Sequence, residues 1–218
     1  KTAYEIVSRD WSSDVCSSDL WFAHVPGLKV VAPSNPWDAY GMLKTAIRDE
    51  DPVLFVENLV LYNLTGEVPD EGSDITVPFG QANVVREGTD LTIIAHSYTV
   101  RRALNIADRF LQEGVSVEVV DLRSLRPLDI DTCIASVKKT TRALVAEEGW
   151  STFGIGAEIA ARLHRACFDE LDAPVERVGG AEAPMPYAKN LESAALAQED
   201  KIAAAARRLL ADCGLVEG

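Results

Sequence analysis

The run Gly27–Asn58, GLKVVAPSNPWDAYGMLKTAIRDEDPVLFVEN, constrains the fold more than any other stretch of this chain. Leu28 to Ala32 is a short strand with a β-branched centre. Ser34 or Asn35 can N-cap the helix that follows, and Pro36 suits its first position. Tyr40, Leu43 and Ile47 mark one apolar face at helical spacing, with Ala39 and Ala46 beside it. Asp49-Glu-Asp-Pro52 ends the helix, and Val53 to Val56 is a continuous apolar strand of the buried, parallel kind. Strand, capped helix, acidic loop and buried strand make the closing portion of an α/β domain. Residues 1–20 carry too few apolar positions in any useful period to supply the rest of it. The chain reads as the end of one domain followed by all of another.

Residues 1–20 stand apart in composition. Trp11-Ser-Ser-Asp-Val-Cys-Ser-Ser-Asp-Leu20 is Ser/Asp-rich and nearly repeats Ser-Ser-Asp. It offers too little apolar area to offset its ordering entropy. It resembles a translated sequencing adapter or cloning scar, so residues 1–20 are expected to be a foreign or disordered tail. Residues 21–58 then belong to the first domain. Residues 59–79 read as a linker, punctuated by Gly66, Pro69, Gly72 and Pro78 and acidic through Glu67, Asp70, Glu71 and Asp74. From residue 80 to 218 the pattern alternates. Strands are expected at 83–86, 91–96, 117–121, 142–147 and 174–178, and helices at 98–113, 129–138, 155–170 and 196–212. Gly114 stands where a helix-ending glycine belongs. Such alternation implies an α/β domain with a mostly parallel sheet and helices on both faces.

Composition removes several function classes. A hydrophobic content of 47% supports a real core. No run approaches the ~18–20 apolar residues that span a bilayer, and no basic-then-apolar leader pattern is evident. A net charge of −13 argues against nucleic acid, whose binding rests on Lys and Arg displacing counterions from phosphates. It favours a basic protein partner. Cys16, Cys133, Cys167 and Cys213 are far apart and form no CxxC pair. They read as buried, inert thiols in a reducing compartment.

Several short motifs could carry chemistry. Ala46-Ile-Arg-Asp-Glu-Asp51 follows a helix C-terminus, where open carbonyls and carboxylates suit a hard cation. Spacing alone favours a solvated acidic helix end. Gly149-Trp-Ser-Thr-Phe-Gly154-Ile-Gly156 opens a helix and could hold an anion on its amides, though it lacks GK[ST] and the third glycine of GxGxxG. A tight turn with close packing is favoured there, and a nucleotide-binding domain has this loop as its only support. Glu147-Glu148 ends a strand and could do acid–base work, cap the next helix or form interface salt bridges. Asp121-Leu-Arg-Ser-Leu-Arg-Pro-Leu-Asp129 packs two arginines and two aspartates into a turn. It could bind an anion, and a structural ion-pair network is slightly favoured. His24, His96 and His164 are isolated and read as structural.

Taken in order, Trp21-Phe-Ala-His-Val-Pro-Gly-Leu-Lys-Val-Val31, Ala46-Ile-Arg-Asp49, Asp121 to Asp129, Glu147-Glu-Gly-Trp150, Gly156-Ala-Glu-Ile-Ala160 and Ala183-Pro-Met-Pro-Tyr-Ala188 resemble one family. It is the beta subunits of pyruvate dehydrogenase decarboxylase components, in the thiamine-diphosphate-dependent, transketolase-like group. The resemblance spans about residues 21–212. Glu147-Glu-Gly-Trp150 and Leu171-Asp-Ala-Pro174 look more like the pyruvate branch than the branched-chain one.

The resemblance implies the C-terminal part of a pyrimidine-binding domain followed by a transketolase C-terminal-like domain. It implies an enzyme that converts pyruvate, with release of CO2, to an acetyl group on a lipoyl arm. Two alpha and two beta chains would assemble, sharing thiamine diphosphate with magnesium. The beta chain supplies a glutamate that promotes the cofactor's imino tautomer. That glutamate and a histidine in an HSQ segment belong to the part of the family pattern ahead of Trp21. Position 14 is Asp14, and its neighbours do not match. No catalytic or thiamine-binding residue is therefore carried over, and the chain alone is expected to be inactive.

Two carry-overs remain. A structural potassium ion maps to Ala46, Ile47, Asp49 and Asp51, largely through carbonyl oxygens. Docking of the dihydrolipoyl acyltransferase core maps to Asp172, where an acidic surface would steer a basic module. The family usually has Asp where Glu182 stands. The resemblance implies a cytoplasmic protein, or one of the mitochondrial matrix in a eukaryote. The alternatives are a branched-chain 2-oxo acid or acetoin dehydrogenase beta subunit, and a non-catalytic assembly module that binds the alpha chain and the acyltransferase core.

Overall fold

A computed structural model describes residues 21–70 and 72–211, so the tail 1–20 lies outside the described residues. Two sheets organise the chain. The smaller has three strands in the order β2-β1-β6. Here β1 is Lys29–Val31, β2 is Val53–Phe55 and β6 is Ser124–Arg126. β1 runs parallel to β2 and antiparallel to β6. The larger sheet has the order β3-β5-β4-β7-β8, formed by β3 Asn83–Arg86, β4 Leu91–Ala95, β5 Val117–Asp121, β7 Ala143–Trp150 and β8 Glu176–Gly180. Only β3 runs antiparallel.

Helix α1, Pro36–Arg48, links β1 to β2. Helices α2, Tyr98–Gln112, α3, Ile130–Thr140, and α4, Ile155–Ala166, are the crossovers of the large sheet. Two more, α5, Lys189–Ala195, and α6, Glu199–Ala211, close the chain. Successive strand residues face opposite sides. Leu91, Ile93 and Ala95 of β4 pack with Ile106, Phe110, Ile202 and Leu210 of α2 and α6. Ile94 packs with Cys133, Val137, Ile159 and Leu163 of α3 and α4. Both faces of the sheet are covered, which is why its strands read as unbroken apolar runs.

The sequence misplaced the buried face of α1. Ile47 is 65% exposed, whereas Asp38, Gly41, Met42 and Ala46 are buried. The reason is close approach. A side chain at Gly41 would meet Val77 at 2.5 Å, and Val77 packs with Met42, Ala46 and Phe55. Gly41, Met42 and Ala46 face inward, with Leu43 packed at the edge of the same cluster.

The segment expected to be a plain linker is a strap on that helix. A 3-10 turn, Leu59–Asn63, starts it. Farther along, Lys44 Nζ donates to the Ser73 carbonyl, Thr45 Oγ1 to the Val77 carbonyl at 2.7 Å, and Arg48 pairs with Asp74. β6 and α5 are absent from the sequence reading. β6 is only three residues long and derives its strand character from its partner β1. Helix α4 stops at Ala166 and β7 runs on to Trp150. Among the described residues no helix is long and apolar enough to cross a membrane.

Candidate functional site

The chemistry-bearing residues gather where the small sheet meets the carboxyl ends of the large one. The β1–α1 loop faces the β5–β6 turn. Asn35 caps α1 by accepting the Asp38 amide at 2.9 Å, and its own amide group donates to Asp38 Oδ2 at 2.6 Å. Asp38 is only 1% exposed. Its charge is met by Arg123, whose Nε reaches Asp38 Oδ2 at 3.0 Å and whose Nη2 reaches Oδ1 at 3.0 Å. Asp121, at the end of β5, is fully buried. It accepts the Ser34 hydroxyl and the Arg123 amide, the latter at 2.9 Å. Burial, aided by the Asp38 charge and opposed by these bonds, pushes its carboxyl up to about 6.

The remainder of the Asp121–Asp129 motif is also structural. Arg126 Nη1 donates to the Ala23 carbonyl at 2.6 Å. Asp129 caps α3 through the Thr132 amide and takes the Ala82 amide at 2.8 Å. Burial pushes Asp129 up, but the Thr132 hydroxyl and these amides outweigh it and hold it low. The motif is structural, but in place of an ion-pair network it makes an ion pair, Arg123 with Asp38, and hydrogen bonds to caps and carbonyls, which tie the two sheets together.

The glycine loop is already filled, by a carboxyl group of the chain's own. Glu147 is 1% exposed and lies under the N-terminus of α4, where its Oε2 accepts the Gly156 amide at 3.3 Å. A side chain at Gly154 would meet both Glu147 carboxylate oxygens at 2.4–2.5 Å, and one at Gly156 would meet Oε1 at 2.6 Å. The glycines admit the carboxylate to the positive helix end. Neighbouring Glu148 accepts Asn58 Nδ2 at 2.8 Å, a second tie between the sheets. Of the three roles open to this pair, helix capping is observed for Glu147, and Glu148 makes a hydrogen bond to Asn58.

The acidic loop after α1 is organised by Lys29, a residue that no local signal marks out. Its Nζ sits 2.7 Å from both Asp49 carboxylate oxygens and 3.1 Å from Asp51. Burial raises the Asp49 carboxyl, yet Lys29 and the Asp51 amide outweigh burial and hold it below the usual range. The Ala46 carbonyl accepts the Asp49 amide at 3.3 Å. Ile47 sits on the exposed side of the same turn. The carboxylates of this loop therefore already serve an ammonium. Among the described residues no group of three or more His, Cys, Asp or Glu is arranged to hold a metal.

Asp172 is separate from all of this. It pairs with Arg142 Nη2 at 2.7 Å and accepts the Thr141 hydroxyl at 2.6 Å. Its side chain stays 46% exposed. His164 is structural, as expected. Its Nε2 accepts the Val175 amide at 3.2 Å, so Nδ1 donates to the Ala160 carbonyl at 2.8 Å. His96 is buried, and the Thr99 hydroxyl donates to its carbonyl. Cys133 and Cys167 are buried and free. Cys16 and Cys213 lie outside the described residues.

His24 lines an open groove of about 930 Å³ between residues 21–24, β6 and the start of α4. Its walls are apolar at Trp21, Leu125, Leu128 and Ile155. Glu158, the one carboxylate in the lining, pairs with Arg162 at 2.6 Å. Among the described residues, neither this groove nor the glycine loop makes a site for thiamine diphosphate. The groove's carboxylate is committed, and the glycine loop is filled by Glu147.

Two family descriptions match the chain. "Transketolase, C-terminal domain" covers residues 80–202, and "Transketolase, pyrimidine binding domain" covers residues 16–63. The mitochondrial pyruvate dehydrogenase E1 component subunit beta of Dictyostelium discoideum is 48% identical over 191 residues, 87% of this chain and 54% of that protein. Subunit beta-2 of Oryza sativa subsp. japonica is 52% identical over 192 residues, 86% of this chain and 50% of that protein. Subunit beta of Rickettsia felis is 46% identical over 188 residues, 86% and 57% respectively. The chain thus spans about half the length of the curated relatives it matches. A solved split-gene transketolase, described as an inactive beta4 tetramer, superposes with a TM-score of 0.68 at 24% identity, covering 88% of this chain and 61% of that one. That likeness bears on fold alone. With a doubly covered α/β sheet, the remnant of a second sheet clasped to it, and these matches along 16–63 and 80–202, the chain belongs to the transketolase family.

Proposed function

We propose that this chain is the C-terminal half of the beta subunit of a pyruvate dehydrogenase decarboxylase. The observation that carries the reading is identity of 46–52% to such subunits, sustained over 86–87% of the chain. The complete enzyme would decarboxylate pyruvate and pass an acetyl group to a lipoyl arm. Thiamine diphosphate would supply the carbanion chemistry, held with magnesium by the alpha subunit and the front of the pyrimidine domain. The residues of this chain contribute a scaffold. The Asp38–Arg123 and Asn58–Glu148 bonds hold the pyrimidine portion on the C-terminal domain.

The partners proposed with this reading are an alpha subunit, a second beta subunit and the dihydrolipoyl acyltransferase core. Asp172, half exposed beside Arg142, offers a carboxylate to a basic module of that core. Potassium would bind main-chain oxygens of Ala46, Ile47, Asp49 and Asp51. Compartment follows the relatives. Several are mitochondrial, which supports the matrix in a eukaryote, and the Rickettsia protein supports the cytoplasm in a bacterium.

The test is a hybrid subunit. The N-terminal half of a curated relative is joined ahead of Trp21 and co-expressed with that relative's alpha chain. The hybrid should bind thiamine diphosphate and decarboxylate pyruvate faster than branched-chain 2-oxo acids or acetoin, while this chain alone does neither. A well-assembled hybrid that prefers a branched-chain acid or acetoin sinks the pyruvate assignment. Melting the hybrid in KCl and in NaCl at equal ionic strength tests the ion, with a higher Tm expected in KCl.

A further inference from the structure

We propose that the joint between the two sheets is a proton-operated clasp, in which uncharged Asp121 holds the β1–α1 loop on the β5–β6 turn and its ionisation loosens that hold. The inference does not depend on the substrate proposed above.

The geometry places two buried carboxylates around one guanidinium. From the β1–α1 loop, Ser34 donates its hydroxyl to Asp121, and Asp38 brings a negative charge that is 1% exposed. From the β5–β6 turn, Arg123 gives Asp121 only its backbone amide, at 2.9 Å. Its guanidinium is committed to Asp38 through Nε and Nη2, both at 3.0 Å. Across the sheet the register partners of Asp121 are Asn83 on β3 and Ala95 on β4, neither ionisable. His96, which follows Ala95, is the nearest titratable residue along that strand. An ionised Asp121 therefore has neutral donors, a like-charged neighbour and only the residual attraction of a guanidinium already bonded to Asp38, in a fully buried site. A protonated Asp121 removes the repulsion.

The residues that surround Asp121 are also the ones that reach across the joint. Ser34 and Asp38 come from one side and Asp121 and Arg123 from the other, with the Ala32 amide donating to the Arg123 carbonyl at 2.7 Å. Opening the joint hydrates Asp121 and returns it from about 6 toward its ordinary 3.8. The closed-state value is the higher one. Closure is therefore firmest below the open value, weakens as pH rises from there to about 6, and changes little above. Those two values make the opening constant about tenfold larger at pH 7.5 than at pH 5.

Hydrogen exchange of the Ala32 amide, corrected for intrinsic rate, reads that constant in the full chain. The expected result is a tenfold gain in opening from pH 5 to pH 7.5, and a flat profile in Asp121→Asn. Subtracting the two profiles cancels the other carboxylates. A pH-independent Ala32 amide, or a dependence that survives in D121N and so belongs to His96 or another group, overturns the proposal. The ¹³C carboxyl resonance of Asp121 in the unaltered chain decides the matter even if D121N does not fold. A midpoint near 6 supports the clasp, and one near 3.8 removes it.

Discussion

At the scale of single residues, Glu147 shows how a motif can look like a ligand site and be a completed one. The positive end of α4 attracts an anion, and the strand before it delivers a carboxylate to that end. Gly154 and Gly156 are required because any Cβ would collide with that carboxylate. Gly154→Ala should therefore destabilise the chain by about 1–3 kcal/mol, the usual cost of overpacking, measured by urea unfolding. Glu147→Ala should cost more alone than in the G154A background, since the clash and the cap share one group. Full additivity would remove the link between them. Cys133 provides a second test. Burial, then the Asp129 charge, pushes its thiol up to about 12, so no thiolate forms at neutral pH. Peptide mapping after brief maleimide treatment should find Cys133 unlabelled in the folded chain and labelled in urea.

At the scale of elements, α1 separates what the sequence states from what packing decides. Its start was legible, because Asn35, Pro36 and Asp38 are local signals and the cap they form is local. Asn35→Ala should cost about 1 kcal/mol, and more if Asp38 is thereby released from its amide. Its buried face was not legible. Hydropathy pointed to Tyr40, Leu43 and Ile47, but the strap from 64 to 79 selects the Gly41–Met42–Ala46 side by fitting Val77 against a missing side chain. Met42→Ala should cost about 2–5 kcal/mol, while Ile47→Lys should leave the melting temperature of this chain nearly unchanged. The reverse ranking would restore the face read from periodicity. β6 escaped notice for the same reason as Lys29: both acquire their roles from partners distant in sequence, Lys29 from a loop twenty residues on. The large sheet was legible because its central strands β4, β5 and β7 are buried almost throughout, while the edge strands β3 and β8 are half-buried, and each crossover helix is amphipathic.

At the scale of the whole molecule, the described residues form a five-stranded sheet with a three-stranded one fastened to it by polar bonds and by apolar packing of Val30 and Leu54 against Ile94, Val120 and Leu122. The surface around that junction is unusual. Trp21 is 76% exposed, Phe153 is 91% exposed and Tyr187 is 93% exposed. Trp21 and Phe153 flank the same groove. Aromatic side chains left in water at this level mark surfaces that bury against another chain or aggregate. The chain alone should therefore self-associate with increasing concentration in sedimentation velocity. Paired substitution of Trp21 and Phe153 by Ser should reduce that association without lowering the Tm, because neither residue supports the core. If the unaltered chain sediments as a single monomer up to high concentration, these aromatics are ordinary surface residues.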